Sequence, residues 1–274
     1  MQEPGDLKPC PSALLNALDG VGIWPHLLPL TRSLDCSSEF PIAASAAWIP
    51  FPELPSRTQE LPGKSVEIQV ADTGLEAGLA VEWLIGHGRK AKLCAFVPGA
   101  TPSRMWTPNP WLEQILPEKF PATALDLGCG SGRDSVALAS SGWNVTAIDR
   151  LPDALARAQC LDARYRTKGP PIQWECAELG MEIPVKGGFD LVIMLAFLEK
   201  ALLPKLHYVL SPGGLVAIET LTETHREATR KPKSDERILQ TAEINTLLSG
   251  LEIVSVVEGW REDRHSRRVL ARRC

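Results

Sequence analysis

No apolar run in the 274 residues approaches the roughly 20 needed to cross a bilayer, and the opening MQEPGDLKPCPS has neither the basic nor the apolar stretch of a secretory leader. A membrane protein is not expected; a cytoplasmic one is. The seven cysteines, at 10, 36, 94, 129, 160, 176 and 274, include no Cys-x-x-Cys pair, so neither a disulfide framework nor a zinc site is expected. A reducing compartment fits that pattern.

Charge of one sign is also missing. Residues 1–104 hold 8 Lys and Arg against 11 Asp and Glu, and residues 105–274 hold 21 against 22. A sequence-independent grip on nucleic acid needs a positive face, which this balance does not supply. One local exception is REDRHSRRVLARRC at the end, with six Arg against Glu262 and Asp263. A solvated final strand is its simpler reading, and a polyanion patch the other. With 44% apolar and 23% charged residues the chain is globular rather than disordered or coiled-coil, and its length suggests two domains at about 150 residues each.

The clearest break is VPGATPSRMWTPNPW, residues 97–111, where four prolines and a glycine interrupt any regular element. We therefore expect domains over 1–100 and 122–274 joined by a linker or cap segment, 101–121. Downstream, apolar strands alternate with helices: TALDL, helix DSVALASS, NVTAID, helix DALARAQCLDARY, IQWEC, FDLVIML, a helix ending near Val209, and LVAIET. This alternation predicts a parallel sheet covered on both faces. A polar stretch, a helix ILQTAEINTLLS and the strands LEIVSVVEGW and SRRVLAR follow.

Strand 123–127 runs into Gly128-Cys129-Gly130-Ser131-Gly132, followed by a helix opening near Asp134. Glycine permits positive φ and close approach of a ligand, and a helix start offers free N–H groups to a negative one. The dinucleotide fingerprint wants glycine or alanine three residues after its second glycine; here that position is Arg133 or, in the shifted register, Ser135. A phosphate-binding P-loop needs a Lys-Ser/Thr pair, which is absent. Asp149 closes the next strand, where a carboxylate can accept bonds from both ribose hydroxyls.

The pattern Asp126-x-Gly128-x-Gly130-x-Gly132, with Asp149, resembles motif I of the class I S-adenosylmethionine-dependent methyltransferases. WECAELG, GGFDLVIML and LSPGGLVAIET resemble that family's later segments, so the resemblance covers roughly 105–274. It implies a Rossmann-like α/β fold with a seven-stranded, mostly parallel sheet and an antiparallel last strand. It also implies S-adenosylmethionine as cofactor, held by Asp126, Gly128, Cys129, Gly130, Gly132, Asp149, Arg150, Glu178 and Leu179. GSGRDSVALASSGWNVTAIDRLPDAL is similar to the small-molecule branch typified by tellurite-resistance and thiopurine-type enzymes. Asp134 reads as a helix-cap or first-turn acid. Trp106 and Trp111 either line the pocket or pack an interdomain seam.

IPFPELPSRTQELPGKSVEIQVADTGLEAGLAVEWLIGHG resembles the central part of a rhodanese-like domain, over about 35–100. Aligning Gly74 with that family's loop glycine places Ala71 where the nucleophilic cysteine would stand. A persulfide cannot form on alanine, and Asp72 and Glu76 oppose an anionic sulfur, so sulfurtransferase activity is not expected. Cys94 reads as a small core residue.

Methyl transfer from a sulfonium is an in-line displacement that needs alignment and water exclusion but no obligatory acid or base. After the fourth strand stands Met194-Leu195-Ala196-Phe197, without the Asp/Asn-Pro-Pro-Tyr/Phe of base amino-methylases or a Pro-Cys loop. The acceptor site is sought after the fifth strand, at Glu219-Thr220 and THREATRKPK. There His225, Arg226, Arg230 and Lys231 could neutralise an anionic acceptor and His225 could take a proton; a solvated loop is the plainer reading. His207 reads as a helix-end residue. No metal is implied. Three functions are weighed: a methyltransferase for a small-molecule acceptor, a tRNA or protein methyltransferase that docks its partner through the rhodanese-like domain and the terminal arginines, and a non-catalytic cofactor-binding scaffold.

Overall fold

The computed structural model describes residues 27–31, 42–43, 47–71, 74–94, 97–98, 104–116, 122–166 and 168–274. Cys10, Cys36 and Asp72 lie outside the described residues. The chain divides into two compact units, Pro11–Thr107 and one that takes in Pro108–Cys274. The division falls inside the segment 101–121.

In the first unit, strands β1 (Leu27–Thr31), β3 (Ala47–Pro50), β4 (Glu67–Ala71) and β5 (Lys90–Cys94) form a sheet of order β3-β1-β4-β5, while β2 (Ile42–Ala43) pairs separately with β6 (Val97–Pro98). Strands β4 and β5 are parallel, with Ala71 opposite Cys94, and helix α1 (Leu75–Gly86) makes the crossover. Ile49, Leu54, Ile68, Val70, Ala77 and Leu84 fill this unit's core. Cys94, expected in the core, is half-buried.

The second unit opens with helix α2 (Leu112–Ile115), then β7 (Thr123–Leu127), α3 (Arg133–Ser140), β8 (Asn144–Asp149), α4 (Pro152–Tyr165), β9 (Gln173–Cys176) and β10 (Phe189–Leu195). It continues through α5 (Leu206–Val209), β11 (Leu210–Leu221), α6 (Glu223–Thr229), α7 (Thr241–Leu247), β12 (Glu252–Arg261) and β13 (Arg264–Arg272). The seven strands lie in the order β12-β13-β11-β10-β7-β8-β9. β9, β8, β7, β10 and β11 are mutually parallel, and β13 runs antiparallel to both β11 and β12. Interior strands buried on both faces read as continuous apolar runs, as Leu191–Leu195 in β10 does. The architecture is the mostly parallel sheet expected from the alternation and the Rossmann-like fold that the resemblance implied.

Three local expectations are corrected. ILQTAEINTLLS is helical only from Thr241, because Glu243 accepts the Gln240 N–H at 2.9 Å and caps the helix there; Ile238 and Leu239 enter the core in extended backbone. The helix ending near Val209 is a 3-10 turn over Lys200–Lys205, which contains Pro204, followed by the single turn α5. THREATRKPK is not a loop throughout, since Thr222 accepts the His225 N–H at 3.3 Å and starts α6.

Two surface expectations are also corrected. Arg267 of the Arg-rich terminus is buried, with Nε 2.8 Å from a Glu258 carboxylate oxygen, and Arg268 pairs with Glu219 at 3.2 Å. These two arginines are tied into the sheet and offer no polyanion patch. Cys94, Cys129, Cys176 and Cys274 are free thiols, whereas Cys160 is disulfide-bonded, contrary to the reading of the cysteine spacing. Among the described residues no helix is long and apolar enough to cross a membrane.

Candidate cofactor and acceptor site

The strand order reverses direction at β7, whose neighbours β8 and β10 carry the chain away to opposite sides. Connections leaving adjacent carboxyl ends in opposite directions open a crevice, the usual ligand position in such sheets. Here it is a cavity of about 710 Å³.

The glycine turn builds one wall. Gly128, Gly130 and Gly132 have φ of 73°, 55° and 75°, a region that glycine enters at little cost. A Cβ on Gly128 would lie 2.3 Å from Phe197 Cγ, and one on Gly132 would lie 2.7 Å from both Ala158 Cβ and Trp174 Cη2. A Cβ on Gly130 would meet nothing within 4 Å. The outer glycines thus permit packing, and the middle one leaves its space open for a ligand to approach the backbone.

Asp149 ends β8 and fixes the turn. Its Oδ2 accepts the Gly130 N–H at 2.8 Å and its Oδ1 accepts the Leu151 N–H at 2.9 Å. Each oxygen of an ionised carboxylate has a second acceptor site, so both remain available to hydroxyls. Asp149 lines the cavity together with Gly128, Arg150, Glu178, Leu179 and His225. Arg150 and Glu178 face each other at 3.4 Å with both side chains largely exposed, and Leu179 is buried.

Asp126, Cys129, Gly130, Gly132 and Arg226 are not among the lining residues. Asp126 is 4% exposed and accepts the Ser135 hydroxyl at 2.5 Å. Burial, with the nearby charges of Asp134 and Asp149, pushes its carboxyl up to about 8, against the pull of Ser135. Asp126 therefore supports the turn from beneath. Burial likewise pushes the Cys129 thiol up, so it is no nucleophile at neutral pH. Arg226 is ion-paired to Asp235.

Asp134, expected as a helix-cap or first-turn acid, stands in the first turn of α3 and also holds the segment before β7. It accepts the Asn109 N–H at 2.6 Å, and burial pushes its carboxyl up to about 6. Asn109 Nδ2 donates to Glu219 Oε2 at 2.6 Å, and Ser266 Oγ donates to Glu219 Oε1 at 2.7 Å. Trp111 is buried beneath the Arg268 guanidinium, 5.3 Å from its ring centre, and does not line the cavity. Trp106 is buried within the first unit.

The remaining wall comes from α6, the residues after it, and the β12–β13 turn. His225 is 8% exposed, and its Nδ1 accepts the His265 N–H at 3.3 Å. That bond places the neutral ring's proton on Nε2, which makes His225 an N–H donor and not a base. Asn109, Arg237, Arg264 and Ser266 are lining residues that sequence reasoning missed. None carries a local motif, because each reaches the cavity through pairing or packing with strands distant in sequence. His207 lies within the single turn of α5 against Tyr208, outside the cavity.

Residues 124–214 match a family model described as a methyltransferase domain. Among curated proteins, glycine N-methyltransferase of Rattus norvegicus is 29% identical over 165 residues, covering 52% of this chain and 56% of that one. Ubiquinone biosynthesis O-methyltransferase of Pseudomonas aeruginosa (strain UCBPP-PA14) is 36% identical over 104 residues, covering 35% and 43%. The chain spans about half the length of the curated relatives it matches. Among solved structures, a methyltransferase from Methanosarcina mazei aligns with TM-score 0.49 and 22% identity, covering 61% of this chain and 99% of that one. Magnesium protoporphyrin IX methyltransferase from Synechocystis PCC 6803 with bound S-adenosylhomocysteine aligns at 0.46 and 19%, covering 56% and 74%. The glycine turn, the carboxylate ending β8 and the strand order accord with the matched segment, and residues 124–214 are similar to a methyltransferase domain.

Proposed function

We propose that the second unit transfers a methyl group from S-adenosylmethionine to a small-molecule acceptor. The observation that carries this reading is Asp149, fixed by two backbone N–H groups at the cavity wall with acceptor capacity to spare, beside a glycine turn open at Gly130. The cofactor supplies an electrophilic methyl on a sulfonium. Asp149 accepts its ribose hydroxyls, Glu178 and the buried Leu179 flank its base, and Gly128, Cys129, Gly130 and Gly132 present backbone to its remainder. Asp126 and Arg150 hold the walls, through Ser135 and Glu178 respectively. The chain's contribution to rate is alignment and water exclusion, for which no dedicated base is needed.

The use of Arg267 and Arg268 in internal pairs supports a small molecule over a macromolecular acceptor. The first unit is read as a degenerate rhodanese-like module without sulfurtransferase activity, on the strength of Ala71 ending β4. The test is calorimetric titration of the full chain with S-adenosylmethionine, S-adenosylhomocysteine and NADH, repeated on Asp149→Ala. Micromolar binding of the first two, weakened in the variant, is expected. Failure of both to bind would sink the methyltransferase reading.

A further inference from the structure

The charges lining the cavity are unequally satisfied. Asp149 takes two backbone N–H groups, Glu178 faces Arg150, and Glu199 accepts the Ala201 N–H at 3.3 Å. Glu219 accepts from Asn109 and Ser266 and pairs with Arg268. The cations differ. Lys231, Arg237 and Arg264 line the same cavity, and among the described residues no carboxylate lies within ion-pair distance of any of them. Glu236 is the one lining carboxylate that accepts no hydrogen bond and forms no ion pair among the described residues. His225 adds an N–H at Nε2 for which the described residues supply no acceptor, although the residue is more than nine-tenths buried.

These four groups share one wall. His225 comes from α6, Lys231 and Arg237 from the segment after it, and Arg264 from the first residue of β13. Gly128, Asp149 and Leu179 line the cavity from the β7–β8 side of the sheet. Cations gathered around a cleft repel one another and raise the local concentration of anions, and guanidinium groups bind oxyanions with two parallel N–H bonds. The sequence suggested His225, Arg226, Arg230 and Lys231 for this work. Arg226 is consumed by Asp235, and Arg230 is not a lining residue.

We propose that His225, Lys231, Arg237 and Arg264 form the acceptor subsite and that the acceptor is a small molecule bearing a carboxylate or phosphate group, a reading that rests on the methyltransferase function proposed above. The oxyanion is held by the Lys and Arg cations and the His225 Nε2–H. The nucleophilic atom is thereby presented toward the donor wall.

The test is calorimetry on the full chain saturated with S-adenosylhomocysteine, using benzoate, phenyl phosphate and the neutral benzamide as probes. One or both anions should bind and benzamide should not, with affinity falling as salt rises because the exposed cations are screened. Tighter binding of benzoate or of phenyl phosphate decides which oxyanion the site prefers. Arg264→Ala and Lys231→Ala should each weaken the preferred anion about tenfold, the scale of one lost charge-assisted contact. The affinity for S-adenosylhomocysteine reports whether the variants fold. Equal binding of benzamide, no binding of either anion to the loaded protein, or anion affinity unchanged in both variants would overturn the acceptor proposal alone. A protein that does not bind S-adenosylhomocysteine overturns the donor reading, and the acceptor proposal with it.

Discussion

Asn109 and Glu219, 110 residues apart in sequence, meet through a 2.6 Å bond from the Asn109 amide to the Glu219 carboxylate at the carboxyl end of β11. The same asparagine gives its backbone N–H to Asp134 and accepts the Trp111 N–H at 3.0 Å on its own Oδ1. One residue thus fastens the segment before β7 to helix α3 through its backbone and to the fifth parallel strand through its side chain. Glu219, bonded also to Ser266 and Arg268, has little capacity left to act as a base.

Asn109→Ala should therefore destabilise the second unit by about 1–3 kcal/mol, the range for losing a partly buried bond to a charged group. Asn109→Asp should do more damage at pH 8 than at pH 5, because it sets a second carboxylate beside Glu219. Thermal melting across pH checks both. Equal melting temperatures for the wild type and Asn109→Ala would show that the link contributes nothing.

The three glycines should respond differently to alanine. Gly128→Ala drives a Cβ into the Phe197 ring and should cost about 3 kcal/mol or more, through overpacking and left-handed strain together. Gly130→Ala meets no protein atom and should cost only about 1–2 kcal/mol of stability. Its affinity for S-adenosylhomocysteine should nevertheless fall, because the added methyl fills the space a ligand approaches. Chemical denaturation and calorimetry on the two variants separate these effects.

Asp126 predicts how stability depends on pH. Its folded value of about 8 lies above the ordinary carboxyl value of 3.8, so between these limits the folded state keeps a proton that the unfolded state has lost. This contribution favours folding least at high pH, so stability falls as pH rises from about 4 towards 8. Asp134, raised to about 6, acts in the same direction over a narrower window. From pH 6 to 8 the loss should be about 1–3 kcal/mol, and Asp126→Asn should flatten the profile. A variant with the wild-type slope would assign the dependence elsewhere.

Arg267 is 5% exposed, bonded to Glu258 through Nε and Nη2 and to the Leu239 carbonyl through Nη1. Arg267→Ala leaves the Leu239 carbonyl and the partly exposed Glu258 carboxylate without their donor and should cost about 1–3 kcal/mol. A filter-binding measurement with RNA should show no salt-dependent loss specific to this variant. Such a loss in a fully folded protein would restore the polyanion reading of the terminus.

The elements of the proposed donor half are legible in local sequence. The apolar runs of β7 and β10, the amphipathic helices between strands and the glycines between β7 and α3 are local: period, composition and backbone freedom act within a few residues. Asp149 was legible for the same reason, standing at a fixed place at the end of the second strand. The proposed acceptor subsite depends on the tertiary structure. Arg237 and Arg264 look like ordinary solvated charges, and they share a wall only because β13 pairs antiparallel with β11 and returns the hairpin turn beside α6. Arg226 and Arg267 look equally free, and the fold gives each a carboxylate partner. Charge recognition depends on which opposite charges pairing and packing bring within a few ångströms, and that distance is not written in the spacing of residues along the chain.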